Sequence, residues 1–139
     1  MRASSQACSI LTSIIDKRRY ADDESARAEN LIGDVRGRTA FVADDEIASG
    51  GTLLQAADIL RRSGATRVVA GATHAVFTGS ASKNMQASLL DKIVVTDTIP
   101  IPDAKQFDKL NVLTVAPLFA AAIRCIHDGR SVSALFETR

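Results

Sequence analysis

The segment FVADDEIASGGTLLQAADIL, residues 41–60, carries the pattern from which the architecture of the chain is predicted. Its apolar start belongs to a short run that ends at Asp44 and Asp45, which is typical of a buried strand in a parallel sheet. A loop of small residues follows, and apolar residues then recur at i, i+3, i+4 and i+7, the spacing of an amphipathic helix. They are Leu53, Ala56, Ala57 and Leu60. The segment therefore predicts a strand, a loop and a helix, in that order.

The same alternation continues along the rest of the chain. Further apolar runs predict strands over residues 68–73, 93–96 and 112–115, and a short helix is predicted within residues 85–89. A last helical face is formed by Phe119, Ala122, Ile123 and Ile126. Strands that alternate with helices at this spacing indicate βαβ units. We therefore predict an α/β fold, a parallel β-sheet flanked by helices, in a single domain over residues 1–139.

The N-terminal region has a weaker pattern. It predicts a short helix over residues 2–11 and strands over residues 13–16 and 31–35. Residues 17–30 between these strands are largely polar and have no periodicity. They are therefore predicted to form a mobile loop.

The composition excludes several classes of function. The chain has 139 residues, of which 46% are hydrophobic and 24% charged, as in an ordinary soluble domain. A net charge of +1 and an aromatic content of 4% argue against a nucleic-acid surface. No apolar run approaches the roughly 20 residues that span a bilayer, and no signal-peptide pattern is present, so we expect a cytoplasmic protein. Cys8 and Cys125 are isolated in the sequence, and we expect buried, reduced thiols.

Two features of the central segment point to a ligand. Asp44 and Asp45 end a predicted strand, and ligands of parallel sheets bind beyond the carboxyl ends of the strands. The loop ASGGT, residues 48–52, then enters a helix. Free backbone N–H groups at the helix start, with the hydroxyls of Ser49 and Thr52, would form an anion cradle that glycine allows a ligand to approach closely.

The paired acids need a different partner, because carboxylates repel phosphate. They could accept hydrogen bonds from sugar hydroxyls or bind Mg²⁺, which prefers oxygen ligands. A phosphorylated sugar would satisfy both parts of the segment, and a phosphate or sulfate anion would satisfy the loop alone. The alternative is a capped strand–helix turn with solvent-exposed acids. The loop is neither a Walker motif, since no lysine follows the glycines, nor the dinucleotide motif GxGxxG.

At this point the sequence resembles a known family. The strand, paired acids, small loop and helix resemble the phosphoribosyl-diphosphate-binding motif of type I phosphoribosyltransferase folds. Five further segments, in the same order, are similar to ribose-phosphate diphosphokinase, which is also called phosphoribosyl diphosphate synthetase. They are IIDKRR (residues 14–19), GDVRGR (33–38), SGATRVVAGATHAVFTGSA (63–81), VVTDTIP (94–100) and GRSVSALF (129–136). The resemblance extends over nearly the whole chain.

The resemblance implies an activity and a ligand site. Members of the family transfer a diphosphoryl group from Mg-ATP to the anomeric hydroxyl of ribose 5-phosphate. By position, Asp44 and Asp45 would bind the ribose hydroxyls or an associated Mg²⁺. The residues that would hold the 5-phosphate are Ser49, Gly50, Gly51 and Thr52. The chain departs from the family at Ala48, where an aspartate is common, and this removes one contact.

The resemblance also implies roles outside this loop. Lys17 and Arg19 match catalytic basic residues that neutralise charge on the transferring phosphates, and phosphoryl transfer depends on such charge stabilisation. The alternative for this pair is a solvated basic turn. Ser131 and Ser133 match a segment that in some members helps to form a regulatory phosphate or ADP site at a subunit interface. The alternative there is a polar C-terminal tail.

Family members pair two homologous α/β domains, and the chain resembles only the C-terminal one. We therefore expect that the N-terminal ATP-binding half is absent and that the sheet is incomplete. An exposed edge or face would then lead to a homo-oligomer or to a partner subunit. Two hypotheses follow: a diphosphokinase that is active alone or with a partner, and an inactive module that binds sugar phosphate or another subunit. A phosphoribosyltransferase acting on a base is a third, but the chain offers no base-recognition segment.

Two polar residues lie near predicted strand ends, and the sequence allows two roles for each of them. His74 could brace a loop or act as a base, and Asp97 could brace the site or contact a ligand. Asp97 also suggests a receiver domain of a signalling system, which has paired acids and a later phosphoacceptor aspartate. That domain needs a lysine after a following strand, where this chain reads NVLTVAP, residues 111–117. The receiver-domain hypothesis is therefore the weaker alternative.

Overall fold

The computed structural model describes the backbone of residues 14–19 and 27–136, and the side chains from residue 33 to residue 136. The helix predicted over residues 2–11 and the thiol of Cys8 lie outside the described residues. The described strands are β1 (Ile14–Arg19), β2 (Arg27–Ile32), β3 (Thr39–Glu46), β4 (Arg67–His74), β5 (Lys92–Thr96) and β6 (Leu110–Leu113). The described helices are α1 (Gly51–Arg62), α2 (Ala81–Gln86) and α3 (Ala116–His127), with 3₁₀ turns at Asp103–Lys105 and Val132–Leu135.

Four strands form a parallel sheet in the order β3-β4-β5-β6. The helices α1, α2 and α3 follow β3, β4 and β6 along the chain. The predicted α/β fold with a parallel sheet flanked by helices is therefore confirmed. Strand β3 is longer than the strand predicted from the apolar run of residues 39–43, because it continues through Asp44 and Asp45 to Glu46. Polar residues can occupy this end of the strand, since the backbone hydrogen bonds to β4 do not depend on side-chain polarity.

The prediction of a loop over residues 17–30 was wrong at both ends. Strands β1 and β2 pair in antiparallel fashion from Ile14 opposite Ile32 to Arg19 opposite Arg27. Both strands therefore include residues that had been assigned to the loop. A polar two-stranded ribbon is held by backbone hydrogen bonds, and such a ribbon leaves no alternation of apolar and polar residues for a sequence pattern to reveal. The strand predicted over residues 31–35 likewise begins earlier and ends at Ile32.

The hydrophobic core lies between one face of the sheet and the helices α1 and α2. Alternate residues of β4 and β5 supply the sheet side, among them Val68, Ala70 and Ile93. The buried residues of α1 are Leu53, Ala56, Ala57 and Leu60, the four positions predicted from the sequence. Periodicity therefore identified the face of α1 that packs on the sheet.

Helix α3 differs from α1 in the burial of its apolar face. Phe119, Ile123 and Ile126 are 58%, 65% and 68% exposed. Cys125, on another side of the helix, is a buried free thiol, as expected. The periodicity of α3 thus predicted a helix correctly, but its apolar face is not covered by the described part of the chain.

A polar network joins the end of α1 to the starts of β4 and β5. One carboxylate oxygen of Asp91 accepts hydrogen bonds from the backbone N–H of Val68, at 2.6 Å, and from the Arg61 guanidinium, at 2.7 Å. The same guanidinium donates to the backbone carbonyl of Leu89. Burial raises the pKa of Asp91, but the Val68 hydrogen bond and the Arg61 charge outweigh it, so the pKa of this carboxyl lies below its ordinary value. The network therefore stabilises the ionised form of Asp91.

We predict that Asp91→Asn lowers the free energy of unfolding by about 1–2 kcal/mol, because it weakens two charge-assisted hydrogen bonds. The matched control is Asp58→Asn, which breaks the exposed i,i+4 pair of Asp58 with Arg62 and should cost under about 0.5 kcal/mol. Urea unfolding measures both changes. Since the folded-state pKa of Asp91 is depressed, its contribution should be present above about pH 4 and lost as the pH falls further. Equal losses in the two variants at neutral pH would contradict the prediction.

Candidate functional site

A cavity of about 240 Å³ lies at the carboxyl end of β3. It is lined by the continuous run from Asp44 to Leu53. All six residues predicted to contact the sugar phosphate are therefore found on its wall. They are Asp44, Asp45, Ser49, Gly50, Gly51 and Thr52. We call residues 47–52, which run from the end of β3 into the first residues of α1, the cavity loop.

The two acids each use one carboxylate oxygen within the protein. Oδ1 of Asp44 accepts a hydrogen bond from the backbone N–H of Asp45 at 3.0 Å, and Oδ1 of Asp45 accepts one from Glu46 at 2.9 Å. Asp44 is half-buried and Asp45 is exposed. Within residues 33–136, neither acid forms an ion pair, and the second oxygen of each carboxylate makes no hydrogen bond. These two oxygens are available to a ligand hydroxyl or a cation.

The start of α1 presents unpaired donors to the same cavity. The carbonyl of Gly50 accepts from Leu54 at 3.0 Å, which closes the first turn of the helix. The N–H groups of Gly50, Thr52 and Leu53 make no hydrogen bond to any described residue. Unpaired N–H groups and the helix dipole favour an anion at such a position. The segment that lines the cavity is thus acidic at its start and suited to an anion at its end.

The cavity loop needs glycine at position 50. Gly50 has a φ of 82°, in the left-handed region, and precedes the first residue of α1. A Cβ atom added to Gly50 would lie 2.4 Å from Cε of Met85, a fully buried residue of α2. By contrast, Gly51 has no positive φ, and a Cβ atom there would meet only the Ser49 hydroxyl, at 3.7 Å. The sequence indicated the glycines but gave no signal for Met85 behind them.

We predict that Gly50→Ala lowers the free energy of unfolding by about 1–2 kcal/mol, because alanine is strained at this φ and its Cβ displaces Met85. Gly51→Ala is the control. It should be neutral or stabilising by up to about 1 kcal/mol, since alanine is favoured over glycine in a helix. Urea unfolding compares the two variants. A Gly50→Ala protein as stable as Gly51→Ala would show that the loop does not require the left-handed conformation.

His74 and Asp97 both bond to neighbouring loops, as expected of bracing residues. Nδ1 of His74 lies 2.9 Å from the hydroxyl of Thr98. Oδ1 of Asp97 accepts from the backbone N–H of Val115, at 2.9 Å, at the start of α3. The Thr114 hydroxyl and the Val115 N–H hold the pKa of Asp97 below its ordinary value. Neither residue lines the cavity.

The remaining predicted site residues are not among the described residues that line this cavity. The backbone of Lys17 and Arg19 belongs to β1, and their side chains lie outside the described residues. Ser131 precedes the 3₁₀ turn Val132–Leu135, and its hydroxyl oxygen accepts from the N–H of Ser133 at 3.2 Å. The roles suggested for these four residues stay predictions.

A cation at the cavity would depend on oxygen donors. The carboxylates of Asp44 and Asp45 are of the type that Mg²⁺ prefers, and this ion is commonly held by one or two carboxylates together with substrate phosphates. Among the described side chains, no group of three or more His, Cys, Asp or Glu residues is arranged to hold a metal alone. The two acids therefore fit a cation that is shared with a bound ligand.

In the same part of the chain, none of the helices has the length and apolarity required for a membrane span.

Comparison with known proteins identifies close relatives. A family model described as the phosphoribosyl synthetase-associated domain matches residues 19–137. The chain is 50% identical over 123 residues to a ribose-phosphate pyrophosphokinase of Caldanaerobacter subterraneus, which covers 88% of this chain and 39% of that protein. It is 51% identical over 124 residues to the corresponding protein of Pasteurella multocida, with the same two coverages. The chain thus spans about two fifths of the length of these curated relatives.

A solved structure is also similar. The crystal structure of phosphoribosylpyrophosphate synthetase from Mycobacterium smegmatis matches 75% of this chain and 35% of its own, with a TM-score of 0.71 and 38% sequence identity. This likeness confirms the phosphoribosyltransferase-like fold predicted from the sequence.

Proposed function

The chain belongs to the ribose-phosphate pyrophosphokinase family, also named diphosphokinases, and from this membership we propose that it binds ribose 5-phosphate in the cavity at the end of β3. The observation that carries the proposal is the pairing of two kinds of group on one cavity wall. Asp44 and Asp45, each with one unbonded carboxylate oxygen, begin the segment that lines the cavity, and residues at the start of α1 with unpaired N–H groups end it. A sugar phosphate needs both kinds of group.

The orientation of the ligand follows from charge. The 5-phosphate carries negative charge that Asp44 and Asp45 would repel, so it binds at the start of α1. There it accepts hydrogen bonds from the N–H groups of Gly50 and Thr52, while the hydroxyls of Ser49 and Thr52 donate further bonds. The helix dipole of α1, a helix of 12 residues, favours the same position.

The ribose hydroxyls then face the acids. The free oxygens of Asp44 and Asp45 accept hydrogen bonds from adjacent hydroxyls, or they bind Mg²⁺ together with the ligand. A bound Mg²⁺ would offset the charge of the two carboxylates and of nearby phosphates. This is the reason why an acidic pair and a phosphate-binding loop can occupy one short segment.

We further propose that the site serves diphosphoryl transfer when ATP is also held nearby. The anomeric oxygen of ribose 5-phosphate would attack the β-phosphorus of Mg-ATP, its proton would be released, and AMP would leave to give phosphoribosyl diphosphate. Lys17 and Arg19 would neutralise charge on the transferring group. Holding both reactants accounts for much of the rate in such a step. Residues 1–139 would form the sugar-phosphate domain of this reaction, in the cytoplasm.

A second candidate function is an inactive module that binds sugar phosphate and another subunit. The observation that favours it is the exposed apolar face of α3, at Phe119, Ile123 and Ile126. Exposed apolar patches of this kind mark surfaces of protein association. Such a contact would produce a homo-oligomer or a complex with a partner subunit. Ser131 and Ser133 would lie near a regulatory phosphate or ADP site at that contact.

Removal of both acids tests the binding proposal. We predict that Asp44→Ala/Asp45→Ala weakens the affinity for ribose 5-phosphate at least about tenfold, which corresponds to about 1.4 kcal/mol. The charge-matched control is Asp58→Ala/Asp103→Ala, which removes one half-buried and one exposed acid that do not line the cavity and should leave the affinity unchanged. Isothermal titration calorimetry measures each dissociation constant in the presence of Mg²⁺. Equal affinities in the wild type and the Asp44/Asp45 variant would refute the assignment of the acids.

An assay of the reaction separates the two candidate functions. The purified chain is incubated with ribose 5-phosphate, Mg²⁺ and ATP, and AMP is quantified by chromatography. A transferase yields AMP and phosphoribosyl diphosphate in equal amounts, and Lys17→Ala/Arg19→Ala should abolish both. Binding of ribose 5-phosphate without AMP supports the inactive module.

A further inference from the structure

We propose that Phe77 is a positioning residue for phosphate binding by the cavity loop, an inference that rests on the function proposed above. Phe77 lies between β4 and α2 and does not line the cavity. It acts through the backbone, by fixing the residues that enter the cavity loop. The inference begins with its backbone conformation.

Phe77 has a strained backbone. Its φ is 46°, and it is the only non-glycine residue with a positive φ among those that the structure describes. A bulky side chain rarely adopts this region, and such strain persists only where the surroundings enforce it. The enforcing contact is burial of the ring, which is 1% exposed and packs edge-to-face against Phe107 with the ring centroids 5.9 Å apart.

The strained conformation places two successive donors against the cavity loop. The backbone N–H of Phe77 donates to the carbonyl of Ile47, and that of Thr78 donates to the carbonyl of Ala48, both at 2.9 Å. A third bond runs the other way, from the N–H of Ile47 to the carbonyl of His74 at 2.8 Å. The start of the cavity loop is therefore tied to the segment after β4 at three points.

These bonds determine which backbone groups remain for a ligand. In a planar trans peptide the C=O of one residue and the N–H of the next point in opposite directions. Because the carbonyl of Ala48 points to Thr78, the N–H of Ser49 points away from that segment, and it makes no hydrogen bond within the described residues. The carbonyls of Ile47 and Ala48, which could repel a phosphate, thus accept hydrogen bonds from Phe77 and Thr78. The N–H groups that follow them, those of Ala48 and Ser49, make no hydrogen bond within the described residues.

The test compares the two rings of the aromatic pair. Phe77→Ala should weaken the affinity for ribose 5-phosphate at least tenfold, because the strained turn is no longer enforced and the cavity loop loses its fixed backbone. Phe107→Ala leaves the Phe77 side chain in the core and removes only one of its contacts, so it should weaken the affinity less than Phe77→Ala does. Calorimetric titrations are run at a temperature where circular dichroism shows both variants folded. Equal effects of the two substitutions on the affinity would overturn the proposal.

A second pair of variants avoids a large cavity in the core. Phe77→Leu and Phe77→Val both keep an apolar side chain, but β-branched valine tolerates a positive φ much less well than leucine. Phe77→Leu should therefore retain most of the affinity, and Phe77→Val should lose it. The opposite order, or no difference, would contradict the positioning role even if Phe77→Ala fails to fold.

Amide hydrogen exchange distinguishes a failure of this inference from a failure of the proposed function. Exchange of the N–H groups of Thr78 and Leu54, which bond to the cavity loop, should accelerate at least tenfold in Phe77→Val and by a smaller factor in Phe107→Ala. If the wild type does not bind ribose 5-phosphate, the proposed function fails and phosphate positioning fails with it. If the wild type binds but exchange and affinity are unchanged in Phe77→Val, only the role of Phe77 fails.

Discussion

The parallel pairing of β3 with β4 is the constraint on which the candidate site depends. The pairing runs in register from Thr39 opposite Arg67 to Glu46 opposite His74, so the two strands end side by side. The segments that follow them must then leave the sheet at the same edge. This proximity allows the N–H groups of Phe77 and Thr78 to reach the carbonyls of the cavity loop. An antiparallel pair would have sent the two segments to opposite edges, and the loop would have lacked this support.

The same arrangement explains how paired acids and an anion site coexist in one short segment. Asp44 and Asp45 belong to the end of β3, whereas the unpaired N–H groups belong to the start of α1. Gly50, with its positive φ, lies between the acids and the first turn of α1 in the segment that lines the cavity. Each acid also accepts a hydrogen bond from the backbone N–H of the next residue, which partly offsets its negative charge. In the proposed complex, the acids therefore contact the ribose hydroxyls of the ligand, and the N–H groups of α1 contact its phosphate.

The sequence predicted those strands and helices that bury one apolar face in the core. Strands β3, β4 and β5 and the helix α1 were found because their apolar residues pack in the core with a regular period. Only residues 14–16 of β1 and 31–32 of β2 were predicted as strand, because the polar remainder of the ribbon pairs through its backbone without an apolar pattern. The glycines of the cavity loop were readable from the sequence, but Met85 and Phe77 were not. Their roles come from contacts across 35 and 30 positions, with Gly50 and Ile47 respectively, and no local pattern encodes such contacts.

Phe77 shows why a strained residue can be retained behind a binding loop. A non-glycine residue in the left-handed region costs about 1–3 kcal/mol. Burial of a phenylalanine side chain contributes about 1.5–3 kcal/mol, and the edge-to-face contact with Phe107 adds to this, so the core can enforce the strained turn without loss of stability. A glycine would adopt the same φ without strain, but it would have no ring to hold it there. The turn would then be free to rotate, and the cavity loop would have to be ordered by the ligand at the expense of affinity. The buried ring thus supplies order in advance of binding, which an unstrained residue at this position could not do.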